Sequence, residues 1–198
     1  ETWTINTSGA TGARISGARD LYQGTAANQP ILTIAAAGNY LTFDGSNDYL
    51  KAAAFALAQP ETVYFVGSQV TWTSTDRLYD GNTGASMTLR QVVGTPQLGI
   101  TAGSSLNGAS LTLATNGVVT SVFNGASSAV RVNRTAAITG DAGVLGNGGG
   151  FTLGSANDGT LNANITAQEV VVYSGAHDKA TQERVIAMLA RNNRIALT

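Results

Sequence analysis

The chain lacks cysteine and contains a single histidine, His177, among its 198 residues. Without thiols it has neither disulfides nor thiolate metal ligands. A serine–histidine–aspartate triad or a two-histidine metal site would depend on this one imidazole or be impossible. His177 lies in the stretch SGAHDKA before a predicted helix, where we expect it to be exposed or to cap that helix.

Charge is scarce as well. The net charge is −1, and Lys51 and Lys179 are the only lysines. Binding to nucleic acid needs clustered cations that neutralise phosphates, so we expect no nucleic-acid partner.

No apolar run approaches the roughly 18 residues of a membrane span, and we expect no membrane insertion. The N-terminus has no signal-peptide pattern. It also lacks a Met, which predicts a processed end or a piece of a longer chain.

Glycine is abundant, with 24 residues, and the 43% of hydrophobic residues tend to alternate with polar ones. This pattern predicts strands separated by turns. The predicted strands include 39–43, 48–52, 62–72, 86–93, 97–102, 150–156 and 165–173. So many antiparallel strands imply two packed sheets.

Three Asn-Gly pairs, at 107–108, 116–117 and 124–125, recur at hairpin spacing. Asn-Gly adopts the left-handed conformation that a two-residue hairpin turn requires. The stretches beside these pairs, SLTLAT, VVTSVF and SAVRV, are short and β-branched. Together they predict an antiparallel meander.

Only the stretch DKATQERVIAMLARNN near the C-terminus has a helical period. Asp178 is the predicted N-cap, and Val185, Ile186 and Leu189 form one apolar stripe. Arg191 suits the negative end of the helix dipole. We expect this helix to pack its stripe onto the sandwich.

The segment LTFDGSNDYL places acidic residues around a glycine between apolar positions. We interpret Asp44, Gly45 and Asp48 as a structural turn, in which the Asp44 carboxylate accepts bonds from the following backbone N–H groups. Calcium needs six to eight oxygens, and a single turn supplies only two or three. The sequence therefore supports no cofactor and no metal site, and calcium would need ligands from other loops.

This corner resembles the Phe-Asp-Gly…Asp-Tyr corner of laminin-G-like, concanavalin A-like jelly-roll domains of the bacterial and phage type. The segments GTAANQPIL, TVYFVGSQV, AVRVNR and FTLGSANDG and the terminal helix resemble further parts of that family, in the same order. The resemblance implies an all-β, two-sheet antiparallel jelly-roll sandwich over residues 24–198, with one C-terminal α-helix. Residues 1–23 match poorly and are expected to form a linker or an extra strand. Arg134 stands where the family usually has a turn glycine.

Domains of the family that this chain resembles share their fold with enzymes such as laminarinases and alginate lyases. Retaining glycosidases of the fold place acids as Glu-x-Asp-x-x-Glu, and the four glutamates do not fall in that spacing: Glu1, Glu61, Glu169 and Glu183. We therefore expect no catalytic residues and no enzyme. The rival hypothesis is a polysaccharide-cleaving enzyme that pairs acids distant in sequence, such as Asp76 or Asp80 with Glu169.

The loop TWTSTDRLYDGNTG, residues 71–84, mixes aromatic, charged and amide groups. Sugar recognition combines aromatic faces with such polar groups, and loops on a rigid sandwich suit binding. The candidate ligand-binding residues are Trp72, Asp76, Arg77, Tyr79, Asp80 and Asn82. The alternative is that Trp72 belongs to the core and that Asp80 and Gly81 only form a turn.

These observations predict a non-catalytic extracellular or virion-surface module that binds glycans or mediates adhesion. The composition and the family pattern resemble those of modules in phage tail or head-surface proteins, so the expected partners are a cell-surface glycan or neighbouring chains in an assembly. A purely structural assembly protein with no glycan site is the other alternative, because fold alone does not fix function.

Overall fold

The computed structural model of the chain describes residues 2–5, 15–16, 21–35, 38–52, 55–84 and 86–197. The strands are β1 (Thr2–Ile5), β2 (Ile15–Ser16), β3 (Leu21–Tyr22), β4 (Ile31–Thr33), β5 (Tyr40–Asp44), β6 (Leu50–Ala52), β7 (Glu61–Gln69), β8 (Arg77–Asp80), β9 (Thr88–Gln91), β10 (Gln97–Thr101), β11 (Ser105–Ser110), β12 (Gly117–Phe123), β13 (Ser128–Val132), β14 (Ile138–Gly140), β15 (Phe151–Leu153) and β16 (Asn164–Ser174). The α-helix is α1 (Lys179–Asn192), and short 3-10 turns span Ala26–Asn28 and Gly125–Ser127.

The strands form two antiparallel seven-stranded sheets, which pack as a jelly-roll sandwich. Sheet A has the order β11–β10–β9–β8–β15–β6–β3, and sheet B has the order β4–β5–β16–β7–β12–β13–β14. β1 and β2 join the sheets along one edge, because β1 pairs with β16 and β2 pairs with both β1 and β3. The fold predicted from the sequence is therefore confirmed.

The core lies between the sheets, where alternating side chains of both inner faces meet. β7 is buried along its whole length. Val63 and Phe65 point into this core, while Tyr64 and Val66 belong to a second cluster on the outer face of sheet B. A strand buried on both faces has a nearly continuous apolar sequence, as β7 has.

Helix α1 covers the outer face of sheet B. The Asp178 carboxylate caps it by accepting the Thr181 N–H at 2.8 Å. Ile186 and Leu189 pack on the strand residues Tyr64 and Val66, and the burial of this apolar stripe holds the helix in place. No helix in the described parts of the chain has the length and apolar character needed to cross a bilayer.

The predicted meander is only partly correct. β12, β13 and β14 are antiparallel neighbours, and the turn at 124–125 joins the first two. The stretch SLTLAT is not a strand, because the strand ends at Ser110 and pairs with β10 of sheet A. Gly108, with φ +130°, is the extra residue of a bulge opposite Leu98 and Gly99. This Asn-Gly pair therefore distorts a strand instead of ending it.

The segment 44–48 forms the turn between β5 and β6. The Asp44 carboxylate accepts the Ser46 and Asn47 N–H groups at 2.7 and 3.3 Å, and Asp48 accepts the Asp44 N–H at 3.0 Å. Gly45 has φ +76°, and a Cβ there would lie 2.8 Å from the Cβ of Asn164. Among the described residues, no group of three or more acidic or histidine side chains clusters in a way that could hold a metal ion.

Candidate functional site

The six residues that sequence reasoning selected lie in different environments. Trp72 and Asp76 are half-buried in the loop between β7 and β8, and Asn82 is exposed after β8. Tyr79 is fully buried and stacks on Phe151, with ring centroids 5.3 Å apart. A bulge between Arg77 and Tyr79 turns the tyrosine into the core and leaves Arg77 on the outer face. The structure therefore does not bring the six together on one surface.

Asp80 is fully buried beneath the loop that follows β15. Its carboxylate accepts the Thr88 hydroxyl at 2.6 Å and the Asn157 N–H at 2.9 Å, and it forms an ion pair with Arg77. Burial raises the pKa of Asp80, while the bonds to Thr88 and Arg77 lower it. These contacts make Asp80 an anchor for the loop and for Arg77, and they correct the prediction that it reaches a ligand.

Arg77 does open onto a cavity, on the outer face of sheet A. The cavity has a volume of about 370 Å³, within the range of small-molecule sites. We call it the arginine groove, and it is lined by Thr75, Arg77, Thr88, Arg90, Thr101, Ser105 and Leu161. Strands β8 to β11 supply its floor, and the two loops before β8 and β16 supply Thr75 and Leu161. Four hydroxyls and two guanidinium groups therefore surround one concavity.

The two arginines stand directly opposite each other on β8 and β9. The Arg90 guanidinium donates to the hydroxyls of Thr101 at 3.2 Å and Ser105 at 2.9 Å. Within the described residues it has no carboxylate partner, and the buried Nε of Arg77 has no hydrogen-bond partner. Burial and the neighbouring Arg77 charge lower the pKa of Arg90, although a guanidinium remains protonated in proteins.

Sequence reasoning missed Arg90 and the hydroxyls around it. Alternation in TLRQ puts Thr88 and Arg90 on the face opposite to the buried Leu89, and that signal was available. The pairing of Arg90 with Arg77 could not be predicted from the sequence, because it depends on the register between two strands.

A second cavity lies at one end of the sandwich and has a volume of about 580 Å³. Gln59 lines it and bridges two loops, since its amide donates to the carbonyls of Gly143 and Leu145 and accepts from the Gly125 N–H. Its remaining walls are mainly alanine, glycine and backbone atoms. The side chains that converge there carry no charge.

The acids of the rival enzyme hypothesis do not face a common cleft. Asp76 and Asp80 belong to the loop and strand of sheet A, whereas Glu169 lies on β16 of sheet B. The Glu169 carboxylate accepts the side-chain amide of Asn193 at 2.8 Å, at the end of α1. The pair proposed from the sequence is therefore separated by the sandwich itself.

His177 is also more enclosed than the sequence predicted. Its Nδ1 lies 2.8 Å from the Tyr64 hydroxyl, and its ring centroid lies 4.6 Å from that of Tyr173. Burial lowers the pKa of His177. The imidazole thus packs the start of α1 against sheet B, far from the arginine groove.

Solved β-sandwich structures of known proteins are similar in fold to this chain. A sialidase of Trypanosoma rangeli in complex with sialic acid matches with a TM-score of 0.67 at 15% identity, over 96% of this chain and 33% of the sialidase. The binding domain of botulinum neurotoxin DC in complex with SialylT matches with a TM-score of 0.65 at 10% identity, over 95% of this chain and 50% of that domain. The chain thus spans a third to a half of these proteins, and at such low identity the likeness shows the fold alone. No protein-family profile and no curated protein matches the sequence.

Proposed function

We propose that the chain is a non-catalytic glycan-binding module and that the sugar lies in the arginine groove. The observation that carries the proposal is the convergence of two guanidinium groups and four hydroxyl side chains, of which Thr75 and Ser105 are exposed, on one open concavity of the sheet. Sugars present rings of hydroxyls, which pair well with such fixed donors and acceptors. The binding domain of botulinum neurotoxin DC, similar in fold, was solved with SialylT, and that supports the same class of ligand here.

The absence of catalysis is part of this proposal. Near the groove the carboxylate of Asp80 is occupied by Arg77, Thr88 and a backbone N–H. Most glycosidases use two acids that face one substrate, and Glu169 is on the other sheet. This arrangement favours binding over bond cleavage.

The biological setting is a more specific proposal, and it rests on the sequence resemblance. We place the module on a cell or virion surface, as part of a larger or multi-chain assembly such as a phage tail or head-surface protein, where glycan binding would mediate adhesion. The rival is a structural assembly protein without a glycan site, and it predicts that the groove is covered by a neighbouring chain.

A glycan array probed with the full chain tests the function. We expect binding that is lost in Ser105→Tyr, because Ser105 is exposed at the groove and a tyrosine there would fill it. Ser110→Tyr is the matched control, since Ser110 is an exposed residue of the same strand outside the groove. A blank array, or equal loss in both variants, would contradict the proposal.

A further inference from the structure

The arginine groove has an unusual balance of charge. Arg77 and Arg90 face each other across neighbouring strands, where opposed side chains have Cβ atoms roughly 5 Å apart. Like charges at such positions repel each other. The buried Asp80 compensates Arg77, and the exposed Asp158 on the adjacent loop interacts weakly with it. Arg90 has only neutral partners among the described residues.

The hydrogen bonds of the two arginines leave donors unused. Arg90 bonds through Nε and Nη2 to two hydroxyls, so its Nη1 carries N–H groups that no described residue accepts. The Nε of Arg77 is buried without a partner. A planar guanidinium presents donors in a fork that matches the paired oxygens of a carboxylate or a sulfate.

We infer that the arginine groove recognises an acidic sugar, through a carboxylate or sulfate group held by Arg90 and supported by Arg77. This inference rests on the proposed glycan-binding function and names the ligand class of that site. The anion supplies the acceptors that Arg90 lacks and offsets the repulsion between the two guanidinium groups. Thr75 and Ser105, the exposed hydroxyl residues of the groove, then face the neutral hydroxyls of the same sugar ring.

The rest of the molecule supports an anionic sugar over a nucleic acid. The net charge is −1, and the sequence contains no run of lysines and arginines. A nucleic acid would need a track of cations that neutralise several phosphates. A single guanidinium pair within a concavity of about 370 Å³ fits one charged substituent.

Isothermal titration with the full chain tests the charge requirement. The probes are the methyl glycoside of N-acetylneuraminic acid, its methyl ester, galactose 6-sulfate and neutral methyl galactoside. We expect the charged probes to bind about 10- to 100-fold more tightly than their neutral counterparts, as charge-assisted hydrogen bonds imply. Loss of binding in the methyl ester identifies a carboxylate, whereas tighter binding of the sulfate identifies a sulfate ester.

Substitutions then locate the contact. Arg90→Gln should abolish the preference for charged probes, and Arg90→Lys should keep a part of it because the charge remains but the fork is lost. Arg184→Gln is the control, since it removes the same charge from the exposed face of α1 on the opposite side of the sandwich. Thermal unfolding of each variant verifies that the fold is intact.

The outcomes separate this inference from the function on which it rests. If charged and neutral sugars bind equally, or if Arg90→Gln leaves the preference unchanged, the inference is overturned while glycan binding stands. If neither these probes nor a glycan array gives binding, the proposed function fails and the inference fails with it.

Discussion

The two outer faces of the sandwich differ in composition and in cover. On sheet B, Tyr64 and Val66 lie under helix α1, which packs Ile186 and Leu189 against them. On sheet A, the outer face of β8 to β11 carries Arg77, Arg90 and several hydroxyls, and these line an open groove. The helix turns the outer face of sheet B into a second core. The outer face of sheet A is not covered by the helix, and its polar groups can contact a ligand.

This difference is visible in the strands themselves. β7 and β12 are buried on both faces, so every residue of each strand is enclosed. β9 instead has one residue that is not fully enclosed, because Leu89 lies in the core while Arg90, on the opposite face, is half-buried. A strand whose polar side chains alternate with core residues can present them to a ligand without any cost to the interior.

The largest expected change in stability concerns the outer face of sheet B, which helix α1 covers. Leu189→Ala should lower the free energy of unfolding by about 2–5 kcal/mol, because a fully buried side chain is lost and a cavity remains beneath the helix. Urea denaturation measures this change. Met188→Ala is the matched control on the exposed side of α1, with an expected change of about 0.5 kcal/mol. Equal losses in the two variants would mean that the helix does not cover a second core.

The next largest expected effect is a pH dependence of stability, and it comes from Glu61 in the interior between the two sheets. This residue is fully buried at the start of β7, and neither carboxylate oxygen has a hydrogen-bond partner among the described residues. Burial raises its pKa from 4.5 to about 8. The folded protein therefore holds a proton that the unfolded chain releases, and stability falls as the pH rises from about 4.5 to about 8.

The measurement is the midpoint of urea unfolding as a function of pH. We expect the wild type to lose a few kcal/mol over this range, at no more than about 1.4 kcal/mol per pH unit. Glu61→Gln should flatten the profile, because the amide has a similar shape and does not titrate. A wild-type profile as flat as that of the variant would show that Glu61 is not held in its neutral form.

Local pattern was enough to predict much of the fold. The helix, its Asp178 cap and the long strand β7 follow from periodicity and turn chemistry, which act over a few residues. The strand predicted as 62–72 ends at Gln69, because the chain leaves sheet B there and the backbone carbonyl of Thr71 bonds to Gln91 instead. Gly108 was misread as a turn because a bulge depends on the partner strand.

The site was less predictable, for a related reason. Strict alternation would place Arg77 and Tyr79 on one face, and the bulge between them separates the two. Arg90 lies outside the loop that the sequence singled out, and it reaches the site only through strand pairing. The chemistry of a groove that spans four strands is therefore set by register, which a single sequence does not contain.

The smallest expected changes in stability come from substitutions that affect one arginine on each outer face. Arg131 on sheet B is buried and pairs with Glu183 at 2.9 Å, whereas Arg90 on sheet A has no carboxylate partner among the described residues. Glu183→Gln should lower the free energy of unfolding by about 1–2 kcal/mol, because a buried guanidinium loses its counter-charge while the glutamic side chain is partly exposed. Thermal unfolding at low and high salt measures the loss.

Arg90→Gln should change stability by less than about 1 kcal/mol, because the lost repulsion from Arg77 across the strand pair offsets the lost hydrogen bonds to Thr101 and Ser105. Raising the salt concentration should weaken the repulsive contribution, since salt screens like charges that are partly exposed. A residue whose loss costs the fold little and abolishes acidic-sugar binding serves the ligand and not the fold. A destabilisation as large as that of Glu183→Gln would instead assign Arg90 a structural role and make the two faces alike.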